Sequence, residues 1–134
     1  MAKIAVVYWS GTGNTEAMAK LVAEGATTAG AEVEVIISTD FNKDMVANFD
    51  GFAFGCPSMG AEVLEETEFQ PMWDDVKDSL AGKKVVLFGS YGWGDGEWMR
   101  NWEEEVASIG SYICNDAPDG DAEVACKELG AKLA

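Results

Sequence analysis

Apolar residues fall along the chain in two alternating patterns. The runs Lys3 to Trp9, Glu32 to Ser38, Gly51 to Cys56 and Lys83 to Ser90 are rich in Val, Ile and Phe and largely apolar on consecutive positions. A run such as Val85-Val86-Leu87-Phe88 suits a strand covered on both faces, the condition of a parallel sheet between helix layers. From Asn14 to Thr28 the pattern changes: Ala17, Met18, Leu21, Val22 and Ala26 form one stripe at helical period, ended by Gly30. A weaker helix is predicted from Asn42 to Ala47, and better ones from Pro71 to Leu80, Glu97 to Ile109 and Asp121 to Leu133. Ser111-Tyr112-Ile113-Cys114 reads as a very short fifth strand, stopped by the loop Asn115 to Gly120. Strands alternating with helices imply right-handed crossovers and an α/β fold: a three-layer, doubly wound sheet of about five parallel strands. No linker or repeat interrupts it, so residues 1–134 are expected to form one domain.

In such a sheet ligands sit beyond the carboxyl ends of the strands, which directs attention to the loops after Trp9, Cys56 and Ser90. The first, Ser10-Gly11-Thr12-Gly13-Asn14-Thr15, has the composition of a phosphate cradle. Its glycines allow tight turns and expose backbone N–H groups, and its short polar side chains stand at a helix N-terminus. It has no Lys after the glycines, as a Walker loop would, and Glu16 occupies the third glycine position of a dinucleotide-binding motif. The second loop, Cys56-Pro57-Ser58-Met59-Gly60-Ala61-Glu62-Val63-Leu64, and the third, Ser90-Tyr91-Gly92-Trp93-Gly94-Asp95-Gly96-Glu97-Trp98, place soft or flat side chains among glycines. Met on one loop and an aromatic on the other could clamp a planar ring.

Charge narrows the field further. Nine Lys and Arg against twenty-four Asp and Glu give a formal net charge of −15, which speaks against nucleic acid and against an anionic membrane surface. The chain has no His, which removes the commonest general base and the usual Ser or Cys triads. Cys56, Cys114 and Cys126 are too widely spaced for a redox pair or an iron–sulfur run and are expected to be buried, reduced thiols. No metal site is expected: Asp119-Gly120-Asp121 lacks the oxygen ligands of a calcium loop at Ala117 and Cys126. With no signal-like or membrane-spanning apolar segment, a cytoplasmic location is expected.

Taken together, Ser10 to Thr15 after a buried strand, Met59-Gly60 with Glu62, and Gly89-Ser90-Tyr91-Gly92-Trp93-Gly94-Asp95-Gly96 resemble a bacterial flavodoxin of the short-chain type over nearly the whole chain. The resemblance implies the flavodoxin-like strand order 2-1-3-4-5 and non-covalently bound FMN. It assigns Ser10, Gly11, Thr12, Gly13, Asn14 and Thr15 to the phosphate. It also assigns Pro57, Ser58, Met59, Gly60, Ala61 and Glu62, with Ser90, Tyr91, Gly92, Trp93, Gly94 and Asp95, to the bound FMN. Met59 covers its inner face, Trp93 stacks on the outer face, Glu62 accepts from N3–H, and the peptide at Gly60 turns toward N5 when the flavin gains an electron. Two departures are visible. Pro57-Ser58 replaces the more usual Ser-Ala, so a phosphate contact there moves to Ser58, and the fifth-strand region is shorter than in family members, which predicts a trimmed sheet edge.

The implied function is a low-potential one-electron carrier with no catalytic residue. It uses the semiquinone/hydroquinone couple and, as a monomer, meets basic patches on reductases and other oxidoreductases transiently. Glu62, Glu65, Glu66, Glu68, Asp95 and Glu97 are expected to surround the ring and to disfavour added negative charge. The alternative is an FMN-dependent reductase or a flavin-containing activating subunit on the same scaffold. A receiver domain needs Asp where Tyr8-Trp9-Ser10 and Gly55-Cys56-Pro57 have none, and a low-molecular-weight phosphatase needs Arg where Glu62 stands.

Overall fold

In the computed structural model, which describes residues 2–11, 13–59, 63–92, 94 and 96–134, the apolar runs form one parallel sheet, with β1, β3 and β4 buried and β2 half exposed at its edge. Its strands are β1 (Lys3–Tyr8), β2 (Glu32–Ile37), β3 (Gly51–Gly55), β4 (Lys84–Tyr91) and β5 (Gly110–Asn115), in the order β2-β1-β3-β4-β5. The helices are α1 (Asn14–Thr28), α2 (Phe69–Val76), α3 (Glu97–Glu103) and α4 (Gly120–Ala131). No helix among the described residues is long and apolar enough to cross a membrane.

Side chains alternate across β1, β3 and β4, so each of these central strands feeds two cores. Ala5, Val7, Phe52, Phe54, Val85 and Leu87 face α2 and α3, where Phe69, Trp73, Trp98 and Trp102 complete an aromatic layer. Phe54 meets Trp73 edge-on at 5.1 Å, and Trp73 meets Trp102 at 5.6 Å. Each of these buried aromatics is worth roughly 2–3 kcal/mol in removed apolar surface. On the opposite face Ile4, Val6, Ala53, Val86 and Phe88 meet the smaller residues Met18, Ala19, Val22, Ala26, Ala122 and Cys126 of α1 and α4. Here two helices touch at backbone level: a Cβ on Gly25 would stand 2.0 Å from the Lys127 carbonyl, and one on Gly130 would stand 2.0 Å from that of Val22.

The elements depart from expectation mainly at their ends. The buried stripe of α1 is Met18, Ala19, Val22, Gly25 and Ala26, rotated slightly from the predicted one, because the close approach of α4 rewards the smallest residues. The weak helix near Asn42 is a 3-10 segment over Lys43–Asn48, started by the Asn42 side chain accepting from the Asp44 N–H. Instead of running from Pro71 to Leu80, α2 begins two residues earlier and passes into a 3-10 turn over Lys77–Ser79. Instead of reaching Ile109, α3 stops at Glu103, where Glu103-Glu104-Glu105 sets three negative charges against the negative end of the helix. β5 gains a residue at each end over the four the sequence pattern predicts and pairs with β4 from Val86↔Gly110 to Tyr91↔Asn115, so at six residues it is as long as β1 and β2.

Candidate functional site

The loop after β1 is folded back on itself, with the Gly13 N–H donating to Ser10 Oγ at 3.1 Å. Gly13 caps α1 at φ 98°, a left-handed conformation that side chains resist, and it starts the helix without a side-chain cap. The first N–H groups of α1 are thereby left for an anion. Thr15 is buried, and its hydroxyl accepts from the Ser90 N–H at 3.4 Å, which joins the first loop to the third. The second and third loops are stitched as well: Ser58 N–H donates to the Ser90 carbonyl at 3.0 Å. Met59 and Val63 exchange reciprocal backbone bonds of 2.9 and 3.0 Å, forming a narrow stem. The indole of Trp98 donates to the Cys56 carbonyl at 3.1 Å and so ties α3 to the foot of that loop.

These bonds bring three loops around one cleft of about 210 Å³. Of the predicted residues, Gly11, Asn14, Pro57, Ser58, Met59, Ser90, Tyr91 and Gly92 line it. Ser10 and Gly13 line a second hollow of about 440 Å³, which shares Trp9 and Gly11 with the first. Gly94 lies in a left-handed turn at φ 86°. Thr12, Gly60, Ala61, Glu62, Trp93 and Asp95 lie outside the described residues. Two lining residues were not foreseen, Trp9 and Asp116. Trp9 ends the first apolar run, and its apolar character marks it as strand rather than as site. Asp116 follows β5, whose carboxyl end borders the same crevice, and is the only described non-glycine residue with positive φ, at 57°. The rule that led to the other loops extends to that one.

Ser90 spends its hydroxyl on the Asp116 carbonyl at 2.6 Å, and with its N–H on Thr15 and its carbonyl bonded by Ser58 it ties the loops together. Ser58 is the opposite case. Its hydroxyl oxygen is buried and has no hydrogen-bond partner among the described residues, and the residue lines the same cleft as Gly11 and Asn14. A buried hydroxyl without a partner costs about 1–3 kcal/mol, a cost that a ligand oxygen would remove. The residues present therefore fit a phosphate-bearing planar cofactor, with hydroxyl and N–H donors at one end and Met59 and Tyr91 at the other.

The acidic residues divide sharply. Glu66, Glu68 and Glu97 are exposed, whereas Glu65 is 6% exposed and turned inward. Burial raises its carboxyl, but bonds from the Thr67 hydroxyl and from the N–H groups of Phe69, Glu68 and Thr67 outweigh that and hold it below the usual glutamate range. Its side chain is thus part of the framework rather than of the surface field. All three thiols are free and buried, as expected, and burial pushes Cys56 up to about 12. That thiol is protonated and inert near neutrality.

Comparison with known proteins agrees with this geometry. A flavodoxin family model matches residues 6–132. The flavodoxin of Clostridium beijerinckii is 48% identical, covering 96% of this chain and 97% of its own, and that of Megasphaera elsdenii is 48% identical, covering 98% of each. The solution structure of two-electron reduced Megasphaera elsdenii flavodoxin superposes with a TM-score of 0.89 at 47% identity, over 97% of both chains. The relatives carry the name of an electron-transfer flavoprotein, which favours the carrier over the FMN-dependent reductase. The chain belongs to the flavodoxin family and is an FMN-binding electron carrier.

Proposed function

We propose that this chain works as a low-potential one-electron shuttle between redox proteins, holding FMN non-covalently in the cleft among its three loops. The carrying observation is the buried hydroxyl of Ser58, without a partner among the described residues, in the cleft lined by Gly11 and Asn14, where a phosphate or ribityl oxygen would complete it. In this reading Ser10, Gly11, Thr12, Gly13, Asn14 and Thr15 take the phosphate through N–H and hydroxyl donors without a cation. Met59 and Trp93 flank the ring, Tyr91, Gly92 and Gly94 lend main-chain groups to its edge, and Glu62 accepts from N3–H. When bound, FMN supplies redox chemistry in steps of one electron.

The chain's own residues set the energy of those steps. Stacking on Met59 and Trp93 strips water from the ring, and the −15 charge places it in a negative field, so added negative charge is disfavoured and the second step falls in potential. The same field favours transient, salt-sensitive encounters with basic patches on reductases and oxidoreductases. A monomer in the cytoplasm, with residues 1–134 as one FMN-binding unit, completes the reading, and the three free thiols suit a reducing compartment. Fluorescence titration of flavin-stripped protein tests it: one FMN per chain is expected, weakened about fivefold or more by Ser58→Ala. Failure to take up flavin overturns the reading. Added salt should slow electron transfer from a reductase, and insensitivity to salt contradicts the proposed docking.

A further inference from the structure

We propose that Glu65 positions the Met59 loop and locks it to the phosphate loop, a role that touches no flavin atom and rests on the reading of the cleft given above. Every polar group of Glu65 is engaged. Its N–H donates to Cys56 Sγ at 3.3 Å, at the end of β3 where the loop departs. Its carbonyl accepts from the Gln70 N–H at 2.8 Å. One carboxylate oxygen accepts from the N–H groups of Glu68 and Phe69, at 2.7 and 2.9 Å, and the other from the N–H of Thr67 at 3.0 Å and from the Thr67 hydroxyl. The chain runs out and back between Cys56 and Glu65, carrying Met59 on the way. The bond between them clips the base of that excursion, while the carboxylate nails its return end to the first turn of α2.

A second chain of contacts leads to the other loop. Glu68, fixed through its N–H by Glu65, accepts with its own carboxylate from the Trp9 indole at 2.8 Å. Trp9 lies against the phosphate loop, since a Cβ on Gly11 would stand 3.1 Å from its ring. Four donors converge on Glu65, and only a carboxylate accepts all of them. Glutamine keeps one acceptor oxygen and turns an NH₂ toward donors that then have no acceptor. Loop placement should therefore depend on this side chain beyond its charge, because the charge is already screened by its own hydrogen bonds.

The test uses the full FMN-loaded chain and reads the FMN dissociation constant and the spacing between the two one-electron potentials. Glu65→Gln is expected to weaken FMN about tenfold and to change that spacing. Glu66→Gln removes the same charge from an exposed neighbour and serves as comparator, and Leu129→Ala supplies a loss of melting temperature from the far side of the sheet. Equal effects of Glu65→Gln and Glu66→Gln, or an unchanged spacing in Glu65→Gln, overturn the inference, as does a Leu129→Ala variant that reproduces the whole pattern. Should Glu65→Gln not fold, the Trp9→Phe and Glu68→Gln cycle decides. Non-additivity of about threefold or more in the dissociation constant supports the link, and additivity overturns it. Absence of flavin uptake by the unsubstituted chain would instead overturn the reading of the cleft, and this inference with it.

Discussion

The two faces of the sheet are packed by opposite means. Toward α1 and α4 the layer is thin and built of small residues, with Gly25 and Gly130 letting the two helices meet at main-chain distance. Toward α2 and α3 it is thick and aromatic, with Trp73, Trp98 and Trp102 fully buried. Each face serves a different end of the cleft. The glycine contact fixes α1, and with it the helix start to which the proposed function assigns the phosphate. The aromatic face holds the foot of the Met59 loop through Trp98, and Glu65 and Glu68 fasten that loop to α2 and to Trp9.

The comparison breaks most violently at the glycines. Gly130→Ala puts a methyl into the Val22 carbonyl, with main chain on both sides to obstruct relief, and is expected to cost more than about 4 kcal/mol in chemical unfolding. An effect below about 1 kcal/mol would mean that α1 and α4 slide easily, and that the cradle is not anchored there. Trp98→Phe is gentler, at about 1–3 kcal/mol, because it leaves most of the volume but strips the Cys56 carbonyl of its donor. Since that carbonyl is at the foot of the Met59 loop, flavin affinity should fall alongside stability, whereas a conservative change on the glycine face should leave affinity in proportion to folding.

Glu65→Gln sharpens the contrast through pH. The folded carboxyl lies below its ordinary value of 4.5, so the stability it lends is present above that value and is lost as pH falls through the lower folded value. The variant is expected to be less stable than the parent by about 1–2 kcal/mol near neutrality, with the two curves converging in acid. Parallel curves down to pH ~3 would show that the carboxylate form contributes nothing.

Much of this was legible in the chain. Val85 to Phe88 and Ile4 to Tyr8 read as buried strands because both faces of each strand are covered, and a run without polar interruption has few other places to go. The ends of β5 were not legible, since Gly110 and Asn115 carry no apolar signal and are strand only because β4 offers bonds there. Glu65-Glu66-Thr67-Glu68 reads as one run of surface charge. Nothing in its spacing says that the first residue turns inward to cap α2 while its neighbours remain in water. Asp116 reads as part of a loop that ends a strand, although a position beyond the carboxyl end of β5 is at the crevice. Strand pairing depends on distant neighbours, and the inward turn of Glu65 depends on where the N–H groups of Thr67, Glu68 and Phe69 point, neither of which a pattern of apolar and polar residues encodes.

The central claim is that these loops tune a bound flavin to pass single electrons. An anaerobic spectroelectrochemical titration of the FMN-loaded chain addresses it most directly. Two separated one-electron steps are expected, the second well below the potential of free FMN. A single two-electron step near the free-flavin potential would contradict the account.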